Sequence, residues 1–255
     1  PRTVIFTSCE MDHADIYRDL AHYESSFERL MEIVPADGFV AVCASTEAPP
    51  RIARRARCRV ETYSATAGVA ADWTAEILGT GEMGTRFRAL RRGEVFVEAT
   101  LPLGGRHNVE NALGCIAALH ARGVPAEALA RGLETFRGVR RRQEDRGTWG
   151  GVKVIDDFAH HPTAVRETIA AVAAKHPGRR LIAVFEPRSN TSRRSLHQEA
   201  YAHAFGDAAM ALISTPLRTD QVPENEQLDV HRLAAAIAAT GAPARALAGP
   251  DEIVE

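Results

Sequence analysis

The chain has 255 residues, 45% of them apolar, and 31 Lys+Arg against 33 Asp+Glu give a formal charge of −2. That length exceeds a minimal single core and fits two domains of ordinary size, while the near-neutral balance excludes a strongly basic nucleic-acid binder. No apolar run approaches the roughly 18–20 residues that span a bilayer, and Cys9, Cys43, Cys58 and Cys115 lack CxxC or zinc spacing and read as reduced thiols; a soluble, cytoplasmic protein is expected.

Residues 3–8 read as a buried strand. Apolar side chains at three- and four-residue steps from Ile16 to Val34 predict an amphipathic helix over 15–34. A second strand is predicted over Phe39–Cys43, entered through the turn-like Pro35-Ala36-Asp37-Gly38. From 58 to 103 apolar and polar residues alternate, through 73–78, 86–90 and 94–101, with Arg91-Arg92-Gly93 as a hairpin turn, so antiparallel sheet is expected there. Helices are predicted over 108–122, stopping at Gly123, and from Pro125 to about Phe136. The Arg- and Gly-rich stretch 138–151 is the expected domain boundary, dividing the chain into 1–138 and 139–255. Beyond it come a strand over 152–158, a helix over 163–175, a strand over 181–185, a helix around 196–205 and a strand over 210–214. Residues 216–227 read as a polar loop, and Asp229 caps a helix that ends before Gly241. The strand–helix–strand rhythm implies parallel βαβ units. Both ends run directly into apolar segments, so a piece of a longer protein is expected.

Five clusters carry chemistry. Glu10-Met11-Asp12-His13-Ala14-Asp15 follows a strand, the favoured address for ligands in α/β sheets; it suits a hard cation, or else Asp12 and Asp15 cap the helix. In Gly104-Gly105-Arg106-His107-Asn108-Val109-Glu110-Asn111, Asn108 and Asn111 lie one helical turn apart and offer the donor and acceptor that an adenine edge requires, the alternative being a cap and a solvated position. Arg140-Arg141-Arg142 suits phosphate oxygens or solvent. Asp156-Asp157-Phe158-Ala159-His160-His161-Pro162 crowds two acids and two imidazoles at a strand's carboxyl end, a costly arrangement unless something binds there. Glu186-Pro187-Arg188-Ser189-Asn190-Thr191-Ser192-Arg193-Arg194 offers cations and hydroxyls to a carboxylate-bearing substrate. No GxxxxGK[ST], GxSxG or HExxH run occurs.

Taken together these clusters resemble the Mur ligase family, the ATP-dependent amino-acid and peptide ligases of bacterial cell-wall synthesis, from Arg2 to about Val254 and in the family's order. The resemblance implies an α/β fold: part of a central ATP-binding domain, with a mixed sheet that includes antiparallel strands, over 1–138. A Rossmann-like C-terminal domain, truncated at its end, would follow over 139–255. It implies that the N-terminal UDP-binding domain and the phosphate loop are missing from this chain. The implied cofactors are ATP and Mg²⁺; the implied substrates are UDP-N-acetylmuramate and a murein tripeptide, with no nucleic acid and no membrane as partner. Residue by residue, His13 matches a magnesium ligand, and Asn108 and Asn111 match adenine-side asparagines. Arg142 matches an arginine that reaches the ATP, and Asp157 an acid on the ribose. His160, His161 and Arg188 would face the incoming peptide or the phosphorylated intermediate. Thr7-Ser8 departs from the family, which often has Asn there.

Within the family the run Glu186-Pro187-Arg188-Ser189-Asn190 favours the member that joins L-Ala-γ-D-Glu-meso-diaminopimelate to UDP-N-acetylmuramate in murein recycling. The sister member that adds L-alanine usually has Gln-Pro-His-Arg-Tyr at this place, and its reaction is the alternative. The implied chemistry is phosphorylation of the lactyl carboxylate to an acyl phosphate, then attack by the amine. Outside the family, the Asp-His and His-His clusters would suit a metal-dependent phosphoesterase. A lone binding module is disfavoured by the antiparallel stretch 73–103.

Overall fold

The computed structural model describes residues 1–217 and 222–254, so 218–221 of the predicted loop lie outside the described residues. The chain divides into two compact units, one made of Pro1–Met11 and Tyr17–Gly138, the other of Asp12–Ile16 and the chain from Val139 onward.

The first unit is built on one six-stranded sheet in sequence order: β1 (Thr3–Phe6), β2 (Phe39–Cys43), β3 (Arg59–Ser64), β4 (Trp73–Gly81), β5 (Gly84–Arg91) and β6 (Glu94–Leu101). β1 to β4 are parallel, and β4, β5 and β6 form an antiparallel meander. Helices α1 (Leu20–Ile33), α2 (Ala48–Ala53), α3 (Arg106–His120) and α4 (Ala126–Glu134) complete it. All five residues of β2 are buried, because one apolar cluster including Leu113 and Ile116 of α3 takes one side of the strand and another including Met31 of α1 and Ile52 of α2 takes the other. Gly114 permits the closeness of α3 to the sheet: a Cβ there would sit 2.8 Å from Ile5 and 2.9 Å from the Tyr63 ring. Arg92 (φ 51°) and Gly93 (φ 87°) form the predicted β5–β6 turn, both in the left-handed region that a two-residue hairpin of this hand requires.

Two expectations fail here. The helix predicted from Asp15 begins at Leu20, because Asp19 is extended (φ −159°) and its carboxylate accepts from the His22 amide at 2.7 Å. The alternation over 58–103 is not antiparallel throughout, since β3 pairs parallel with β2. Within β3, Glu61 and Ser64 are buried yet hydrogen-bonded.

The second unit holds a three-stranded parallel sheet, order β11-β10-β9, made of β9 (Ile182–Phe185), β10 (Met210–Ser214) and β11 (Ala244–Leu247). A separate hairpin joins β7 (Glu144–Trp149) to β8 (Val152–Asp156) through Gly150 and Gly151, both at positive φ. Stretch 138–151 therefore contains a strand the sequence pattern did not announce. The strand predicted over 152–158 is shorter and pairs antiparallel with β7 rather than in a parallel βαβ array. Helices are α5 (Pro162–Lys175), α6 (Gln198–Ala202), α7 (Val230–Ala239) and α8 (Pro250–Val254). The helix expected around 196–205 is reduced to a 3₁₀ turn (Ser195–His197) and the single turn and a half of α6. Asp229 caps α7 as expected, accepting from the Arg232 amide at 2.9 Å. Val165, Ile169, Phe185, Phe205, Ile213 and Ile237 lie in the core.

Candidate functional site

In the second unit, four of the five clusters meet. Neither Asp12 nor Asp15 caps a helix, which corrects that reading. Asp12 Oδ1 accepts from the His13 amide at 2.7 Å, and Asp12 Oδ2 lies 3.5 Å from His160 Nε2 and 4.0 Å from His13 Nε2. Burial alone would raise the Asp12 carboxyl, but the Thr191 hydroxyl, the His13 amide and the neighbouring imidazoles outweigh it and hold the group below its ordinary value. Asp15 Oδ2 accepts from Asn190 Nδ2 at 2.9 Å, and the Ala14 amide donates to Thr191 Oγ1 at 3.3 Å. Asn190 Oδ1 in turn accepts from Arg193 at 2.6 Å. Thr191, Ser192 and Arg193 are all buried; their part in framing this loop was not read from the sequence, where the only signal was their place inside a polar run.

His160 Nδ1 lies 3.1 Å from the Phe158 carbonyl, and because a carbonyl only accepts, Nδ1 carries the proton of that bond. The buried Tyr201 hydroxyl donates to the His160 carbonyl, and burial pushes its pKa well up, so it remains a donor. His161 occupies the residue before α5, its ring 4.6 Å from that of His197. Arg188 is exposed beyond the end of β9, its Nε 3.6 Å from Glu186.

Asp157 is engaged internally. Oδ2 accepts from the Gln143 amide at 2.8 Å; Oδ1 accepts from the Ala159 amide at 2.7 Å and from Thr168 Oγ1 at 3.3 Å, tying the β8–α5 turn. The Arg141 and Arg142 guanidinium groups lie 4.8 Å and 5.6 Å from the Phe158 ring centroid, and Arg142 is exposed.

His13 is exposed with a left-handed backbone (φ 53°). Among the described residues no three His, Cys, Asp or Glu side chains gather into a metal-ligating group. One imidazole fits Mg²⁺ only as the partial shell that phosphate oxygens and water complete.

In the first unit, the start of α3 carries the two asparagines. Asn108 Nδ2 donates to the Gly104 carbonyl at 2.7 Å, leaving its oxygen available, and Asn111 is exposed one turn on. Beneath them Glu110 accepts from the Ser45 hydroxyl and, at 3.1 Å, from the Ala65 amide; Ser45 meets Ser64 at 2.8 Å. That network, which the sequence reading did not single out, fixes the helix start against the carboxyl ends of β2 and β3.

Residues 1–119 match the Mur ligase middle domain, and residues 140–255 match the Mur ligase, glutamate ligase domain. The chain belongs to the Mur ligase family. Mur ligases are ATP-dependent amide-bond ligases of peptidoglycan synthesis, and the α/β fold with its mixed sheet is theirs. The chain is 35% identical to the UDP-N-acetylmuramate–L-alanine ligase of Salinibacter ruber over 88% of its own length and 46% of that protein's. It is 34% identical to the UDP-N-acetylmuramate–L-alanyl-gamma-D-glutamyl-meso-2,6-diaminoheptandioate ligase of Haemophilus influenzae, covering 85% and 47%. A solved murein peptide ligase from Psychrobacter arcticus aligns at 26% identity and a TM-score of 0.65, over all of this chain and 51% of that one. The chain thus spans about half the length of the curated relatives it matches. Most relatives of comparable identity carry the alanine-ligase name, so the preference for the tripeptide member read from residues 186–190 is not sustained.

Proposed function

We propose that the polypeptide to which this Mur ligase chain belongs joins L-alanine to the lactyl carboxylate of UDP-N-acetylmuramate. The observation that carries this reading is the recurrence of alanine-ligase relatives, at 33 to 36% identity across 84 to 88% of the chain. In it, residues 1–138 are part of the ATP-binding domain and residues 139–255 belong to the C-terminal domain. ATP with Mg²⁺ would supply the phosphoryl group that activates the carboxylate. Asn111, and Asn108 through its free oxygen, hold an adenine edge; His13 donates one nitrogen to the cation. Arg142 is exposed for phosphate oxygens, and Asp157 fixes the turn that carries His160 and His161, its bonds to Gln143, Ala159 and Thr168 competing with any ribose contact. His160, held through Nδ1 by Phe158, turns Nε2 to Asp12, and Arg188 offers a cation to the carboxylate of the incoming amine.

The run Glu186-Pro187-Arg188-Ser189-Asn190 and the 34% relative from Haemophilus influenzae favour a second reading, ligation of the L-Ala-γ-D-Glu-meso-diaminopimelate tripeptide. The test is phosphate release by the full polypeptide with ATP, Mg²⁺ and UDP-N-acetylmuramate, on adding L-alanine or the tripeptide. Turnover with L-alanine alone is expected; turnover with the tripeptide alone replaces the first reading by the second, and silence with both overturns both. The 255-residue chain, which has no GxxxxGK[ST] run, is expected to be inactive by itself.

A further inference from the structure

His13 holds its backbone in the left-handed region (φ 53°), which costs a residue with a side chain energy unless its surroundings impose it. Residues 12–16 belong to the second unit, and the partners that hold them come from residues 189–194 of the same unit. The Thr191 hydroxyl accepts from the Ala14 amide at 3.3 Å. It also hydrogen-bonds the Asp12 carboxylate, and it is the donor there because an ionised carboxylate only accepts. One oxygen thus grips the residues on both sides of His13. Asp12 Oδ1 accepts from the His13 amide at 2.7 Å, and the Ile16 amide donates to the His13 carbonyl at 2.8 Å, closing the turn.

Thr191 is fit to hold others in place because it is itself held. It is 3% exposed, its carbonyl accepts from the Arg194 amide at 3.0 Å, and the Ser189 amide donates to Ser192 Oγ at 2.9 Å. A second tie lies next to it. Asn190 Nδ2 donates to Asp15 Oδ2 at 2.9 Å, while Asn190 Oδ1 accepts from the buried Arg193 at 2.6 Å. A carboxylate on one side and a guanidinium on the other fix which way that amide points. The Thr191 bonds lie out of water and the Asn190–Asp15 bond is exposed, so the first tie is the stronger.

We infer that Thr191 is a positioning residue for the cation ligand: its hydroxyl holds Asp12 and Ala14 so that His13 keeps the left-handed turn that presents its imidazole, with Asn190 as a weaker second tie. The loop that carries Arg188 thereby also sets the geometry of His13. The inference rests on the proposed role of His13 toward the cation and does not depend on which amine is ligated.

Mn²⁺ binding to the full polypeptide, in the presence of a non-hydrolysable ATP analogue and followed by electron paramagnetic resonance, tests it without turnover. Thr191→Val keeps the shape and removes the hydroxyl. It is expected to weaken Mn²⁺ binding about 10-fold, as loss of a group supporting a metal ligand does, while binding of the analogue in EDTA holds. Thr191→Ser keeps the hydroxyl and should bind Mn²⁺ within about twofold of wild type. Asn190→Ala, a change at an exposed side chain, should weaken it about threefold. Wild-type affinity in Thr191→Val overturns the inference; if that variant does not fold, wild-type affinity in Asn190→Ala does so. A serine variant as weak as the valine one also overturns it, because the methyl group rather than the hydroxyl would then matter. Unchanged affinity in His13→Ala removes the premise and overturns it too. Phosphate release on adding L-alanine or the tripeptide is read separately, so ligation without these Mn²⁺ effects sinks this inference and leaves the proposed reaction standing.

Discussion

The two units treat their sheets differently. In the first, six strands form one uninterrupted ladder with apolar clusters on both sides of β2, and the chain turns from parallel to antiparallel pairing at β4 without breaking the sheet. In the second, the strands among the described residues fall into a group of three and a group of two, with exposed apolar residues on β8 and β9. Stability in the first unit is therefore an internal matter of its own core. In the second, apolar residues of β8 and β9 such as Val152 and Val184 are exposed, so the same kind of substitution there removes less buried surface.

The strongest way to break that comparison is Trp73→Ala. Trp73 is fully buried, meets Phe96 and His120 edge-on at 5.0 Å and 5.5 Å, and donates Nε1–H to Glu61 at 2.7 Å. Removing it is expected to cost the first unit about 4 kcal/mol. Urea unfolding followed by circular dichroism should show one transition moving to lower denaturant. The emission of Trp149, exposed in the second unit, should keep its midpoint. If both midpoints move together, the two units are one cooperative structure and the contrast fails.

Much of the fold, though not the split of the second sheet, was legible in the residues, for physical reasons that differ by element. β2 announced itself as a continuous apolar run, and α7 as a capped amphipathic helix, because burial and capping write directly into local composition. β3 did not, since Glu61 and Ser64 are buried through hydrogen bonds that only the folded chain supplies. β7, with the sequence Glu-Asp-Arg-Gly-Thr-Trp, has no apolar pattern and exists through its pairing with β8. The start of α1 was misplaced because Ile16 continues the helical period that Asp19 interrupts. The site clusters were legible as chemistry, but their meetings were not. Asp15 bonds Asn190 across 175 residues of sequence, and no local spacing encodes that.

Glu61 sharpens the comparison at the next level of effect. It is 2% exposed and accepts hydrogen bonds from Trp73, Arg59 and Arg91. Burial would raise its carboxyl, yet these three donors outweigh it and hold the group below its ordinary value. Glu61→Gln is expected to cost about 2 kcal/mol at neutral pH, because Arg91 and Trp73 lose a charged acceptor. A carboxyl lowered in the folded state contributes stability in full above its unfolded value of about 4.3 and loses it as pH falls through the folded value. The gap between wild type and variant should therefore be constant from neutral pH down to about 5 and close below about 4. A gap that persists in acid would show that the cost is packing rather than charge.

The finest test pairs two helix caps that differ chiefly in the unit they serve. Asp19 opens α1 and Asp229 opens α7, each in extended backbone, accepting from the amide three residues on at 2.7 Å and 2.9 Å. Alanine at either place leaves that amide without its side-chain acceptor and is expected to cost about 1 kcal/mol. The consequences diverge if the units differ as argued. Loss of the Asp19 cap frays a helix whose Met31 is wholly buried against the continuous sheet, so the whole first-unit transition should shift. Loss of the Asp229 cap loosens α7, whose Leu233 and Ile237 pack into the core of the unit with the broken sheet. There the cost should appear first as faster amide exchange in α7, at denaturant concentrations below the unit's main transition. Equal, global shifts for both variants would mean that the split sheet is as cooperative as the unbroken one.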